Sequence, residues 1–434
     1  TAEQILRYLR AAIERFDLDV RTRHEVVAMH EEPGGWRVEM RTPDGDRSER
    51  FDHVVVATGH FTGPPQPIEL EGRERFGGQV IVDREIHDLD VLARKRVAVV
   101  GFGKSAVDLA TFAAERGSAV HHVFRTPRWL LPRVLFGVHS AHVVFTRLST
   151  AMIPAWVQPN RVQRFLHARM RPLVKGFWSG LATAMRVQYG LHPLHLDAGA
   201  RRRLRLLLPE LTVPDEMRSA VALAPDHYFP LVAKGKIEPC RGQPAGFTEA
   251  GLRLADGRVI PCDLVVLSLG YATMRFPFLP ERYRALLESE PDGPQLYRHL
   301  LHPRIPRVSF AGCNQGFLFV PAVDISMLWL GAVLQGDLEL PAPAEMEACI
   351  AEIRRWKHEH VLFDPARGTA VSTRFHQYAD VMLGDLGLSP FRKGNPVAEV
   401  LGAYTAADYD GLFEEYERAR ASATGPRRPL PLST

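Results

Sequence analysis

Gly101, Gly103 and Ala106 follow directly on the apolar run of residues 96–100 and open a stretch with helical apolar spacing. Residues of these types at this spacing suit a pyrophosphate. The first glycine permits a tight turn, the second lets the backbone approach a phosphate, and alanine at the third position keeps helix and strand close. Lys104 and Ser105 then fall in the first helical turn, where unpaired N–H groups and the helix dipole favour an anion. Apolar residues at Ala106, Leu109, Ala110, Ala113 and Ala114 carry the helix, Gly117 stops it, and residues 119–124 read as the next strand. Strand, glycine turn, helix and strand make a βαβ unit. In that context the motif indicates dinucleotide binding, against the plainer reading of a structural glycine turn. The second strand runs into Phe124-Arg125-Thr126-Pro127-Arg128, where NAD binding would call for a carboxylate. A guanidinium pairs with phosphate through two hydrogen bonds, so Arg125, Thr126 and Arg128 favour NADP(H) over NAD(H). The competing reading is that Arg125 or Arg128 makes only a surface ion pair.

The elements around this motif belong to a chain of 434 residues with 46% apolar residues, 24% charged residues and a net charge of +4. Such a profile fits two or three globular domains and excludes a disordered or fibrous chain. So small a charge surplus gives no reason to propose nucleic acid or an anionic membrane as partner. Arginine supplies 47 of the 54 basic residues, a skew we read as GC-rich, bacterial codon usage. Cys240, Cys262, Cys313 and Cys349 include no Cys-x-x-Cys pair, so neither a redox dithiol nor a zinc ribbon is supported, and no metal site is expected. A reducing, cytoplasmic setting is the expectation. The apolar stretch 316–336 contains Pro321 and Asp324 and reads as loop plus helix, and 134–146 is too short to span a bilayer.

Residues 2–16 carry the apolar spacing of an interior helix (Ile5, Tyr8, Leu9, Ala12, Ile13, Phe16), with no signal peptide before them. A chain opening this way reads as starting partway into a longer protein. Residues 25–29, 36–41 and 53–57 read as strands, with turns at Gly34-Gly35 and Pro43-Asp44-Gly45. Pro64, Pro65 and Pro67 form a bridge between domains. Residues 129–222 read as helical, with Arg201, Arg202, Arg203 and Arg205 on a solvated face. Strand patterns resume after Pro239, at 252–254, 259–262, 263–271 and 308–311, followed by helices at 324–335, 345–362 and 410–421.

Several segments together resemble the flavin-dependent class B monooxygenases, that is, the flavin-containing monooxygenases and their Baeyer–Villiger relatives. They are Val54-Val-Val-Ala57-Thr58-Gly59-His-Phe61, the glycine motif from Lys95 to Ala106, and Phe124-Arg125-Thr-Pro-Arg-Trp-Leu-Leu-Pro132. The segment from Gly270 to Leu279 resembles the second strand end of the family's FAD domain. Asp324-Ile-Ser-Met-Leu-Trp329 resembles its helix near the flavin, and Phe375-His-Gln-Tyr378-Ala-Asp380 its C-terminal element. These segments keep the family order over nearly the whole chain. The resemblance implies FAD and NADP(H) as cofactors, with Ala57, Thr58, Gly59, Gly270 and Asp324 on the FAD side. It also implies O₂-dependent oxygenation of a small organic substrate through a flavin C4a-hydroperoxide, giving an N- or S-oxide or a Baeyer–Villiger ester. It singles out no catalytic residue, substrate or oligomeric state.

Two departures stand against the family pattern. Its Phe-x-Gly-x-x-x-His-x-x-x-aromatic fingerprint finds Phe76 and Gly78, but Val82 and Ile86 take the His and aromatic places, with His87 one residue beyond. No Gly-x-Gly-x-x-Gly motif for FAD precedes Ala57. The expected fold is therefore α/β, two interleaved Rossmann-like domains with the FAD half N-terminally incomplete. Residues 1–66 and 236–340 form the FAD side, 67–235 an NADPH domain with a helical insertion at about 129–222, and 341–434 a helical cover and tail. An NADPH–flavin reductase without oxygen transfer, or an inactive NADP-binding fragment, remain as alternatives.

Overall fold

The computed structural model describes residues 2–153, 159–191, 197–217, 222–316, 318–360 and 374–431. The chain opens with helix α1 (Ala2–Arg15), whose spacing is that of a buried helix although Ile5, Tyr8, Leu9 and Phe16 are all exposed. Three antiparallel strands follow as a meander: β1 (Glu25–Glu32), β2 (Gly35–Thr42) and β3 (Gly45–Phe51). Sequence pattern misses β3, because its Asp46-Arg-Ser-Glu-Arg50 core is polar on both faces. An edge strand with water on either side has no apolar alternation to show. Strand β4 (Val54–Val56) then runs into Ala57-Thr58-Gly59.

The central unit comprises β5 (Gln79–Val82), β6 (Arg96–Val100), α2 (Lys104–Glu115) and β7 (Ala119–Phe124). A helical insertion carries α3 (Arg161–Arg169), α4 (Arg171–Gln188) and α5 (Ala198–Arg205), with α6 (Tyr228–Ala233) leading back to the sheet. After it come β8 (Ile237–Arg241), β9 (Pro244–Thr248), β10 (Gly251–Leu254), β11 (Val259–Pro261) and β12 (Leu264–Leu267). The five-stranded sheet has the order β8-β7-β6-β12-β5, and every neighbouring pair is parallel. Both faces are covered, which is why β6 is apolar without alternation. Val97, Val99 and Val120 pack against α2, where Ala106, Ala110 and Ala113 let the helix sit close. Ala98, Val100, Val123 and Val265 face Phe247, Leu252, Leu254 and Ile260 of the antiparallel β9-β10-β11 layer.

This sheet corrects the sequence-based division at residue 236. Strands β8 and β12 lie in the sheet of β6 and β7, so the chain leaves it only after Leu267. An apolar run shows that a strand is buried and cannot show which sheet it joins. The expected strand over 263–271 is likewise only four residues long, and Ser268 onward crosses to the other unit. There β13 (Val308–Phe310) pairs in parallel with β4, Val308 opposite Val54. Helix α7 (Phe319–Gln335) follows, five residues longer at its start than its apolar pattern suggested. It packs with α9 (Phe375–Asp385) around Trp329, Met382 and Tyr404. Helix α8 (Pro343–His360) precedes α9, and the expected extension to Leu362 lies outside the described residues. Helix α10 (Leu412–Ala421) closes the C-terminal layer.

Candidate functional site

Parallel strands bring their carboxyl ends to one edge of the sheet, and open α/β sheets bind ligands along that edge. Here it gathers Asp83, Gly101, Arg125 and Ser268, the residues just past β5, β6, β7 and β12. Gly101 has φ +127°, and a Cβ built on it would lie 2.1 Å from the Ser268 carbonyl oxygen. Its glycine is demanded by the fold. Gly103, the N-cap of α2, has an ordinary φ of −82°, and a Cβ there would meet nothing within 4 Å. Packing does not explain that glycine, but a phosphate resting on the turn does. Ala106 is fully buried behind it. Ser105 is exposed at the helix start, as is Lys104, whose ammonium pairs with Asp108 one turn on.

Beyond β7, Arg125 and Thr126 are exposed, and the Arg125 guanidinium has no partner among the described residues. Arg128 stands 3.9 Å from the carboxylate of Glu216, which is buried and also accepts the Trp129 N–H at 2.7 Å. The structure thus leaves Arg125 exposed at the strand end and turns Arg128 toward the helical insertion. Open space at Gly103, free helix-terminal N–H groups and an unpaired guanidinium fit an NADP pyrophosphate and 2′-phosphate.

One residue on β7 escaped the sequence reading. His122 is fully buried, its Nε2–H donates to the Gly101 carbonyl oxygen at 2.7 Å, and the Tyr228 hydroxyl donates to its Nδ1 at 2.7 Å. Burial pushes its pKa down to about 4, so the ring is neutral and has one N–H to give. The signal was present in register: His122 shares a face with Val120 and Phe124, where a histidine must find partners inside.

The second strand-end region lies at β4 and β13, which run parallel and so end on the same side. Ala57, Thr58 and Gly59 are exposed there, and Gly59 takes φ +80° with open space where a Cβ would stand. The His60 Nε2–H donates to the Gly312 carbonyl oxygen at 2.6 Å, and the His299 Nδ1–H to that of Cys313 at 3.0 Å. Two neutral imidazoles thereby fix consecutive peptides just past β13. Asn314 is buried, and its Nδ2 donates to Ala322 in the first turn of α7 at 3.0 Å. Its Oδ1 takes no hydrogen bond from the described residues, and a buried acceptor of this kind suits a ligand N–H or O–H. Asp324 lies in the second turn of α7 with its side chain exposed, and partial desolvation by the surrounding protein raises its pKa. Exposed strand ends, the open glycine and the orphaned amide oxygen fit one face of a flavin dinucleotide. Gly270 sits apart from them, in the crossing segment, where its carbonyl accepts the Gln66 N–H at 2.9 Å. His60, His299 and Asn314 were not singled out in the sequence, because only the β4–β13 pairing brings them together.

The four cysteines are free thiols. Burial pushes Cys240, Cys262 and Cys349 up to about 11 and Cys313 to about 12, which keeps them protonated and poor nucleophiles.

Comparison with known proteins agrees with this geometry. The family model described as flavin-binding monooxygenase-like matches residues 1–188. Probable flavin-containing monooxygenase 1 of Arabidopsis thaliana is 28% identical over 404 residues, covering 88% of this chain and 73% of its own. Dimethylaniline monooxygenase (N-oxide-forming) 2 of Oryctolagus cuniculus is 26% identical over 408 residues, covering 89% and 68%. Among solved structures, cyclohexanone monooxygenase in its open form superposes with a TM-score of 0.61 at 18% identity, covering 89% of this chain and 83% of that one. An oxidised steroid monooxygenase bound to NADP gives 0.59 at 18%, covering 90% and 84%. Those two likenesses show the fold, a pair of Rossmann-like units. The turn, the strand ends and the relatives point the same way: this chain is similar to the flavin-binding monooxygenases of class B, oxidoreductases that work with FAD and NADP(H).

Proposed function

We propose that this chain binds NADPH across the β6–α2 turn and FAD at the ends of β4 and β13, and oxygenates a small organic substrate with O₂. The observation that carries the coenzyme assignment is the contrast between Gly101, fixed by Ser268, and Gly103, where a Cβ would meet nothing within 4 Å, with Arg125 exposed at the neighbouring strand end. When bound, the flavin takes hydride from NADPH and activates oxygen, and the protein's part is binding, orientation and exclusion of water. Gly103 and the first turn of α2 would seat the pyrophosphate, with Lys104 and Ser105 at its side. Arg125 and Thr126 would take the 2′-phosphate, and Arg128 would stand behind them. Ala57, Thr58 and Gly59 would meet the FAD, with Asp324 and Gly270 near its ends. A soft nitrogen or sulfur gives an oxide and a ketone gives an ester.

A second reading, an NADPH–flavin reductase without oxygen transfer, draws on Val82 and Ile86 standing where the family fingerprint has His and an aromatic residue. Oxygen uptake decides between them. NADPH-dependent O₂ consumption that rises when an amine, sulfide or ketone is added, with oxygenated product, supports oxygenation. Dye reduction by NADPH with no product from any of the three classes supports the reductase.

A further inference from the structure

We propose that His122, held in one tautomer by Tyr228, is the positioning residue for the nucleotide turn: it sets the peptide that presents the turn's first N–H to the coenzyme pyrophosphate. The inference rests on the NADP(H) reading of the β6–α2 turn. It starts from peptide geometry. The Gly101 carbonyl and the Phe102 N–H belong to one planar trans peptide, so they point in opposite directions. Fixing the carbonyl therefore aims the N–H. His122 fixes it with a hydrogen bond of 2.7 Å from the core side, which turns the Phe102 N–H away from the core. That N–H makes no hydrogen bond with the described residues. The imidazole also lies flat against the Phe102 ring, centroids 5.2 Å apart and planes 3° from parallel, while Phe124 meets Phe102 edge-on at 4.7 Å. Backbone and side chain of the residue between the two glycines are thus both held from β7.

Tyr228 completes the device. A neutral imidazole donates from one nitrogen and accepts at the other. A carbonyl oxygen can only accept, so Nε2 bears the hydrogen and Nδ1 needs a donor. The Tyr228 hydroxyl, fully buried on α6, is that donor. Without it the hydrogen is free to move to Nδ1, which would set a lone pair against the Gly101 oxygen and release the peptide. Tyr228 reaches the coenzyme only through His122. The helix that follows the insertion is therefore coupled to the phosphate turn by two hydrogen bonds in series.

The test separates the pyrophosphate from the 2′-phosphate. Binding of NADP⁺ and of adenosine 2′-monophosphate, which lacks the pyrophosphate, is measured by calorimetry on the chain and on His122→Leu, His122→Gln and Tyr228→Phe, each with its thermal midpoint. Gln extends an amide N–H to about the place of Nε2 and serves as the rescuing variant. The expected result is a loss of tenfold or more in NADP⁺ affinity for His122→Leu and of threefold or more for Tyr228→Phe. His122→Gln should stay within threefold, and adenosine 2′-monophosphate should bind alike throughout. If the two ligands weaken in parallel, or if NADP⁺ affinity is unchanged in His122→Leu and Tyr228→Phe, the positioning role is overturned. Should the unsubstituted chain bind neither ligand, it is the coenzyme reading beneath the proposal that fails.

Discussion

A methyl group added at Gly101 and one added at Gly103 would meet opposite surroundings, and two substitutions turn that into a measurement. Gly101→Ala would force a side chain onto φ +127° and against the Ser268 carbonyl. A non-glycine residue in such a conformation costs about 1–3 kcal/mol before the clash is counted, so the variant should lose stability whether or not coenzyme is present. Gly103→Val adds its side chain into open space at an allowed φ. Its thermal midpoint should stay close to the parent's while NADPH binding, followed by calorimetry, is lost. Normal binding by Gly103→Val would place the pyrophosphate elsewhere. Arg125 carries the second prediction at this scale. A hydrogen bond to a charged group contributes about 1.5–3 kcal/mol, and about 1.4 kcal/mol is tenfold in affinity. Arg125→Ala should therefore bind NADPH about 10- to 150-fold more weakly and leave NADH nearly unchanged. Equal losses for both coenzymes would remove Arg125 from the 2′-phosphate.

Helices α7 and α9 are joined through one buried carboxylate. Asp385 accepts from Arg298 Nε at 2.9 Å and Nη2 at 3.1 Å, from Trp329 Nε1 at 2.9 Å and from the Leu430 N–H at 2.7 Å. Arg298 and Asp385 are both buried, so deleting one charge strands the other out of water, a loss of about 3–5 kcal/mol. Asp385→Ala should show that loss in urea unfolding, together with faster proteolysis beside Leu430. A change below about 1 kcal/mol would mean that water replaces the pair. No sequence pattern pointed to this ion pair, because Arg298, Trp329 and Asp385 come together only when α7 packs on α9. The βαβ unit was legible for the opposite reason. Its strand, glycine turn, helix and second strand are consecutive, and each is specified by local spacing. Polar β3 and the sheet membership of β8 and β12 were not legible, since edge exposure and long-range pairing leave no local mark. The same holds for the site: Gly101, Gly103 and Arg125 could be named from the motif, whereas His122, His60 and Asn314 depend on partners many residues away.

At the scale of the molecule, the two units are joined by a pair of crossing segments that hydrogen-bond to each other. The Gln66 N–H donates to Gly270 at 2.9 Å and the Ala272 N–H to Pro64 at 2.8 Å. Asp83 accepts from Ser268 Oγ at 2.7 Å and from the Tyr271 hydroxyl, while Arg84 lies 4.0 Å over the Tyr271 ring and donates to Phe61 at 3.0 Å. Asp83 and Arg84, immediately after Val82, thus grip both crossings. The units also share a weakness to acid. Burial holds His122 at about 4 and His299 and His376 at about 3, and they sit in the sheet core, beside β13 and on α9. Unfolded histidines titrate near 6.5. Between that pH and the folded values the unfolded chain binds more protons, so stability is complete above about 7 and falls as pH is lowered. Each histidine contributes about 1.4 kcal/mol per pH unit within its window. The carboxylate most depressed by an ion pair, Asp263 at about 2 beside Arg96, adds its own loss only below about pH 4. Thermal midpoints should therefore be level from pH 8 to 7 and drop steeply from 6.5 to 5, with these three histidines each adding about one proton to the uptake on unfolding at pH 5. His122→Gln should reduce that uptake by about one. A midpoint independent of pH between 7 and 5 would show that these histidines accept protons in the fold. The neutral imidazoles assigned to the Gly101 and Cys313 carbonyls would then have to be abandoned.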